Sequence, residues 1–530
     1  MSKYLTVQMG AVEIKGGTPM KRKLLAILVL LAMCISLAPA MAEEELPFVT
    51  IDWYFGQAEQ TDSQIVNDAL NEILLEKFNC NVNLHFWSGD EYWDNMRVMI
   101  SSGQDVGIIG FGSQTKLDYV TESQRGAYYP LDDLLTTIGA DTYALFDEEI
   151  WEAMRINGNI YGIPSLKDNG YFISLVYNAT MAEELGIDME SVEYNSFADW
   201  EEVFYEVKEK RDAAHPEWAD YPVVWDTNLA YPYYFAFETF FNDAYFAVCN
   251  IDGIDDVEGY DSNTVFNFYD TPEYMEFAKL RQRWVADGIQ AYDYTDRSDW
   301  QYTGAVFGWV GWGYTYMEPH MYGDAFETKM IMSDTIWTET NNYFSAGTAI
   351  SANCADPERA MMVLNEVNTN PEVATMLRFG VEGVHYTYNE EGRMEFTERN
   401  ADPAARGYYM WYAAPLGNLL IVNAPADLTG PNNELLTEMA RLNEECAIPT
   451  HMGFSFNTEN VVNEVAACTN IVMQYQSDIA TGKLNSQEDV EAYVNEFREQ
   501  LKANGVDTIV AEVQRQIDEW MAARDAAAAE

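Results

Sequence analysis

The side chains best suited to chemistry in this 530-residue chain are carboxylates and large aromatics: 86 Asp and Glu, 14 Trp and 34 Tyr. Two carboxylates facing each other across a glycosidic bond can act as acid and base, so an exported glycoside hydrolase is one reading. No spacing singles out such a pair, and neither a nucleophile elbow nor a zinc motif occurs, so no catalytic residue is assigned. The aromatics point to a different use. Many stand beside Gly, Asn or Asp, and a Trp or Tyr offers a flat apolar face with a polar edge that suits the C–H faces and hydroxyl rims of sugars. Metal ligands are scarce: there are five His. The acidic run Asp252, Asp255, Asp256, Glu258 and Asp261 lacks the EF-hand spacing, so no metal and no cofactor is expected. Cys80, Cys249, Cys354, Cys446 and Cys468 are widely spaced and odd in number, which does not define a disulfide framework.

The net charge is −56. Removing the five Lys/Arg and one Glu of residues 1–42 takes −56 to −60 for the remainder. Nucleic-acid binding needs clustered Lys and Arg to displace phosphate counterions, and this chain has the opposite balance. A solvated acidic surface keeps an exported protein soluble and favours a neutral ligand over a polyanion. Export itself is written in Met20 to Ala42, where Lys21, Arg22 and Lys23 precede the apolar stretch Leu24 to Met33 and the small-residue site Ala40-Met41-Ala42. Residues 1–19 read as an upstream extension, and Met20 as the start. Cys34, in Leu31-Ala32-Met33-Cys34, is a candidate lipidation site with Met where a lipobox wants a small residue. The apolar run is too short to span a bilayer, so no transmembrane helix is expected.

The elements that must position these residues follow a repeating order. Phe48 to Tyr54 reads as a strand, Ser63 to Phe78 as a helix with Ile65, Ala69, Ile73 and Leu74 on one stripe, and Val82 to Trp87 as a second strand. Glu91 to Ser101 reads as a helix and Val106 to Phe111 as a third strand. Such β-α-β order implies an α/β fold with parallel, doubly wound sheets, whose ligands collect at the carboxyl ends of strands. That rule points to Trp53, Tyr54 and Trp87.

Farther on, Trp151-Glu-Ala-Met-Arg-Ile-Asn-Gly-Asn-Ile-Tyr-Gly-Ile-Pro164 leads to Leu175-Val-Tyr-Asn178. Here the chain resembles the extracellular solute-binding proteins of ATP-binding-cassette (ABC) importers, in the sugar-binding, maltose-binding-protein-like family. There an Asn-Gly-x-x-Tyr-Gly-x-Pro run carries the chain from the first lobe to the second. Phe197-Ala-Asp-Trp-Glu-Glu-Val, with Ser196 as its N-cap, resembles a helix start of the family. Ala305-Val-Phe-Gly-Trp-Val-Gly-Trp312 resembles its strand with a sugar-stacking Trp. Phe344 to Met361 resembles the return crossing. Arg378-Phe-Gly-Val-Glu-Gly-Val-His-Tyr386 and Val510 to Trp520 resemble the larger Gram-positive lipoprotein branch. Asp105, in Gly103-Gln-Asp-Val-Gly107, stands at the second acidic position of a family Gly-Asp-x-Pro-Asp pattern whose Pro this chain lacks.

The resemblance implies a two-lobed periplasmic-binding-protein-like fold with a hinge and a cleft. Residues 1–42 would be the extension and signal, 43–166 with 345–400 the first lobe, and 167–344 with 401–530 the second lobe and C-terminal helices. Trp309 and Trp312 are the leading ligand contacts, although strand alternation puts them on opposite faces, one toward ligand and one toward core. Lys167, Asp168, Asn169 and Tyr171 follow the crossing Pro164 and are expected at the hinge and cleft floor. Glu382 and His385 lie in a Gly-rich turn, and Trp411 in an aromatic group with Tyr408, Tyr409 and Tyr412. The implied function is an extracellular binding component, expected to be monomeric, that captures an oligosaccharide and hands it to membrane permease subunits. A peptide or other small-molecule binder of the same fold is the alternative, and the hydrolase the third reading.

Overall fold

The computed structural model describes residues 46–528 apart from 113–114, 193–196, 227–234, 242–243, 255–256, 292–302, 313–325, 411–415 and 430–432. The compact unit begins at Val49. The export segment, Cys34, Ser196, Trp411 and Tyr412 lie outside the described residues. Among the described residues no helix is long and apolar enough to cross a membrane.

Among the described residues, the strands of the three sheets used below are β1 (Val49–Phe55), β2 (Cys80–Phe86), β3 (Ile108–Phe111), β4 (Ile163–Pro164), β5 (Ile173–Asn178), β6 (Val224–Asp226), β7 (Phe237–Thr239), β8 (Val248–Asn250), β9 (Gly308–Trp312), β10 (Thr328–Met332) and β11 (Gly347–Ile350). The first sheet has the order β2-β1-β3-β11-β4 and the second the order β10-β5-β9-β6. β1, β2 and β3 are parallel, as the alternating pattern predicts. β11 enters antiparallel beside β3 because the chain returns to this sheet from the second one.

The helix Ser63–Phe78 buries Val66, Leu70 and Leu74. The buried stripe is rotated by one residue from the expected one, and Ile65 is exposed. The reason is polar. Asn67 and Asn71 share the buried side and bond the free backbone edge of β2: Leu84 N–H donates to Asn67 Oδ1 (2.8 Å), and Val82 N–H to Asn71 Oδ1 (2.7 Å). Two side chains thus close an edge that would otherwise invite another strand. The helix stops at Asn79, whose φ of 49° is left-handed.

Each sheet has its own core. Ile51, Trp53, Val82, Ile108 and Ile109 pack in the first, together with Tyr408, Met410, Leu416 and Met452 from much later in the chain. Leu175, Trp200, Phe204, Trp284, Phe307 and Val310 pack around the second. A third core joins Phe237, Val248 and Phe268 to the C-terminal helices Val462–Ala480, Gln487–Ala503 and Val506–Ala528. Val513 and Ile517 face into it, as the amphipathic spacing of the terminal helix predicts.

Candidate ligand-binding site

Two segments of chain join the two sheets, Pro164 to Ile173 and Met332 to Gly347, and a third, Glu445 to Phe454, runs beside them from the helix Glu434–Glu445 toward the C-terminal helices. They lie side by side with Trp337 in the middle. Trp337 N–H donates to Tyr171 O (2.9 Å) on one flank, and on the other Ala447 N–H donates to Ile336 O (2.8 Å) and Thr338 N–H to Ala447 O (3.0 Å). Asn443 fastens the first segment to the helix before the third: Asn169 and Gly170 N–H both donate to its Oδ1 at 2.9 Å, and its Nδ2 donates to Lys167 O at 2.6 Å. The expected hinge residues are therefore in the first segment. Lys167 and Asp168 are largely buried and bond each other at 3.0 Å, so their charges are already matched.

At the carboxyl end of the first sheet the aromatics divide by depth. Trp53 has no exposed surface and packs on Phe55 with ring centroids 4.8 Å apart. Its proposed contact with ligand is corrected: alternation turns it into the core with Ile51. Tyr54, on the other face, stacks on His85 (4.5 Å) and lies 5.2 Å from the ring of Trp87. Burial, with the charges of Asp52 and Asp105, pushes the Tyr54 hydroxyl up to about 12. It is only 6% exposed, so it supports its neighbours more than it meets solvent. Trp87 is half-buried, just past the end of β2, with its N–H donating to Phe55 O (3.0 Å). It is the most exposed of the three aromatics expected here.

Three other expectations change. Asp105 precedes β3 and so lies at the amino end of the sheet, where Ala355 N–H donates to its Oδ1 (3.0 Å); it is at the end away from the cleft. Trp309 is 2% exposed and pairs through its backbone with Val176 and Trp225, so it belongs to the second lobe's interior. The side chain of Trp312 lies outside the described residues. His385 is fully buried and bonds Asp62, which makes it a structural group, while Glu382 beside it is exposed. Asn443, Asp62 and Arg399 went unnoticed in the sequence because isolated polar residues on helices and turns carry no periodic signal.

A solved structure described as the N-glycan transport solute-binding protein NgtS from Streptococcus pneumoniae covers 89% of this chain and 98% of its own, with a TM-score of 0.72 and 24% identity. The chain has the two-lobed fold of a solute-binding protein. A further solute-binding protein, from Bifidobacterium longum subsp. infantis, matches over 89% of this chain and 98% of its own at a TM-score of 0.59 and 15% identity. In sequence, this chain is similar to a carbohydrate ABC transporter substrate-binding protein of Streptococcus pneumoniae, 26% identical over 463 residues, which is 85% of this chain and 87% of the relative. A family model described as a domain of unknown function, DUF3502, matches residues 450–522. That stretch begins inside the third segment and continues through the C-terminal helices.

Proposed function

We propose that this chain captures a carbohydrate outside the cytoplasm by closing its two lobes and delivers it to the membrane permease subunits of an ABC importer. The observation that carries the reading is the hinge: two crossings between the sheets and a third segment beside them, hydrogen-bonded to one another through Trp337. Its support in sequence is the similarity to a carbohydrate ABC transporter substrate-binding protein over most of both chains. Closure on a ligand needs no bond-making, so no catalytic residue is part of the proposal.

The ligand class we favour is a neutral oligosaccharide. NgtS structures are described in complex with Man1GlcNAc and Man5GlcNAc, and these are the first sugars to try. Trp87 and Trp312 would stack on rings, with Tyr54 holding Trp87 in place; Trp411 and Glu382 are further candidate contacts, and Lys167, Asp168 and Tyr171 would set the hinge. Residues 20–42 act as the export signal, with Cys34 a candidate lipid anchor. The lobes would be residues 43–166 with 345–400 and residues 167–344 with 401–530, except that Tyr408, Met410 and Leu416 pack with the first core and move the last boundary beyond Leu416.

The test is a thermal-shift screen of the chain from Glu43 onward against mannose-containing and other neutral oligosaccharides, polyuronates and short peptides. A ligand at 100 times its dissociation constant adds about 2.7 kcal/mol to folding stability. A shift with one sugar, recovered intact, supports the reading. Silence across the sugars and a shift with peptides would overturn the ligand class, and release of reducing ends would overturn the absence of catalysis.

A further inference from the structure

A group of titratable side chains away from the cleft aromatics joins β7 to two of the three segments. Glu238 and Thr239 end β7. His451 Nδ1 lies 2.8 Å from Glu238 Oε2, and the backbone N–H of His451 donates to the same oxygen at 3.3 Å. Next to them, Thr239 Oγ1 donates to Glu339 Oε2 at 2.9 Å. Glu339 belongs to the second segment and His451 to the third, so one short strand of the second lobe holds both.

The cluster is dry. His451 and Glu238 are 0% and 4% exposed in their side chains, Glu339 is partly buried, and His451 Nε2 has no hydrogen-bond partner among the described residues. Burial holds the Glu238 carboxyl above its ordinary range against the opposing pull of His451. Burial, and then the charge of Glu238, push Glu339 up to about 7. Among the described residues, the other groups facing the cluster are Cys249, opposite Glu238 in β8, and Arg524 of the terminal helix. Arg524 also donates to Thr450 O at 3.0 Å, in the third segment. One cation and one imidazole therefore face two carboxyls.

Around the cluster the third segment has no slack. A Cβ on Gly453 would sit 2.5 Å from Ala153 Cα of the first lobe, while Phe454 packs against Trp520 of the terminal helix. Repulsion inside the cluster would thus be passed to the contact between lobes rather than absorbed by a loose loop.

We propose that Glu238, Glu339 and His451 form a proton-sensitive clasp across the hinge, so that loss of a proton from the carboxyl pair above neutrality loosens the second and third segments and shifts the lobes toward the open arrangement. The inference rests on the two-lobed reading but on no particular ligand. A buried pair of like charges is the usual way one carboxyl is kept protonated near neutral pH, and a raised folded-state pKa means that stabilisation is present at low pH and lost as pH rises through that value.

The experiment uses the chain from Glu43 onward without ligand, so that failure to find a sugar leaves it unaffected. Small-angle scattering at pH 6 and pH 8.5 is expected to give a larger radius of gyration at the higher pH, and Glu339→Gln, which stays uncharged, is expected to give the same value at both. In the parent protein alone, backbone amides of Trp337 and Ala447 are expected to exchange about tenfold faster at pH 8.5 than at pH 6, after correction for intrinsic exchange. Equal radii and equal corrected exchange at the two pH values would overturn the clasp, as would a Glu339→Gln protein that keeps the full shift. The exchange measurement stands even where the variant fails to fold.

Discussion

Asp62 and His385 are 323 residues apart in the chain and meet at 3.3 Å inside the first lobe. Val381 N–H donates to His385 Nδ1 (2.9 Å), which leaves Nε2 as the nitrogen that carries hydrogen and donates to Asp62 Oδ2. Burial holds the imidazole below its ordinary pKa, in keeping with a neutral ring. Arg399 supplies the positive charge, with Nε donating to Asp62 Oδ2 (2.5 Å) and Nη2 to Oδ1 (2.7 Å). The arrangement resembles two-thirds of a catalytic triad, but it is a tie between the start of a helix and a distant turn.

Removing the carboxylate leaves His385 unpaired and Arg399 without its partner. Asp62→Ala is expected to cost about 1 to 2 kcal/mol in urea unfolding, because the buried His385 loses its acceptor while Arg399 is left open to water. Glu382→Ala, three residues from His385 but exposed, is expected to change stability by less than about 0.5 kcal/mol.

The same tie has a pH signature. The bond from Arg399, more than any other influence, holds the Asp62 carboxyl below its ordinary value. A depressed carboxyl contributes stability above its unfolded pKa and loses it as pH falls through its folded one. The stability gap between the parent chain and Asp62→Asn is therefore expected to be full at pH 7 and to shrink below about pH 4, measured as the difference between two denaturant curves at each pH.

Depth separates the two tryptophans of the first sheet. Trp53→Ala removes a fully buried ring and is expected to cost about 3 to 5 kcal/mol of stability. Trp87→Ala removes a half-exposed ring that we propose contacts ligand, and is expected to weaken binding of a responsive oligosaccharide about tenfold, near 1.4 kcal/mol, with a smaller loss of stability. Calorimetric titration beside urea unfolding distinguishes the two, and an unchanged affinity in Trp87→Ala would remove it from the site.

Gly453 has φ near +89°, and its missing side chain is what lets the third segment lie against Ala153. Gly453→Ala combines left-handed strain with a backbone clash, for an expected loss of about 2 kcal/mol. Because the clash falls between lobes, apparent affinity for any ligand bound by closure is expected to fall as well.

Much of the first lobe was legible because its periodicities are local. Strands β1 to β3 and both intervening helices follow from alternation and helical spacing, and parallel order from their succession. What failed was depth and direction. Alternation says that Trp53 and Tyr54 face opposite ways, yet which face is covered depends on helices elsewhere in the chain. Asp105 was read at the cleft because its motif resembles a family loop, whereas the register of β3 puts it at the opposite edge. Alternation puts Trp309 and Trp312 on opposite faces, but only the packing of the second sheet shows that Trp309 is buried. His385 and Asn443 act through partners far away in sequence, and nothing in their neighbours announces those partners.

The ribbon of three segments also limits how the molecule can move. Two rigid bodies tied by one flexible cord can twist, slide and bend. Three cords laid side by side and bonded to one another resist twist and slide, because either would stretch the outer two, and bending remains. Such a joint opens like the spine of a book. The expected consequence is a gauge set by the width of the guest and indifferent to its length: oligosaccharides of one repeating unit would bind with similar affinity once they fill the space between the covers, their ends protruding at the open sides.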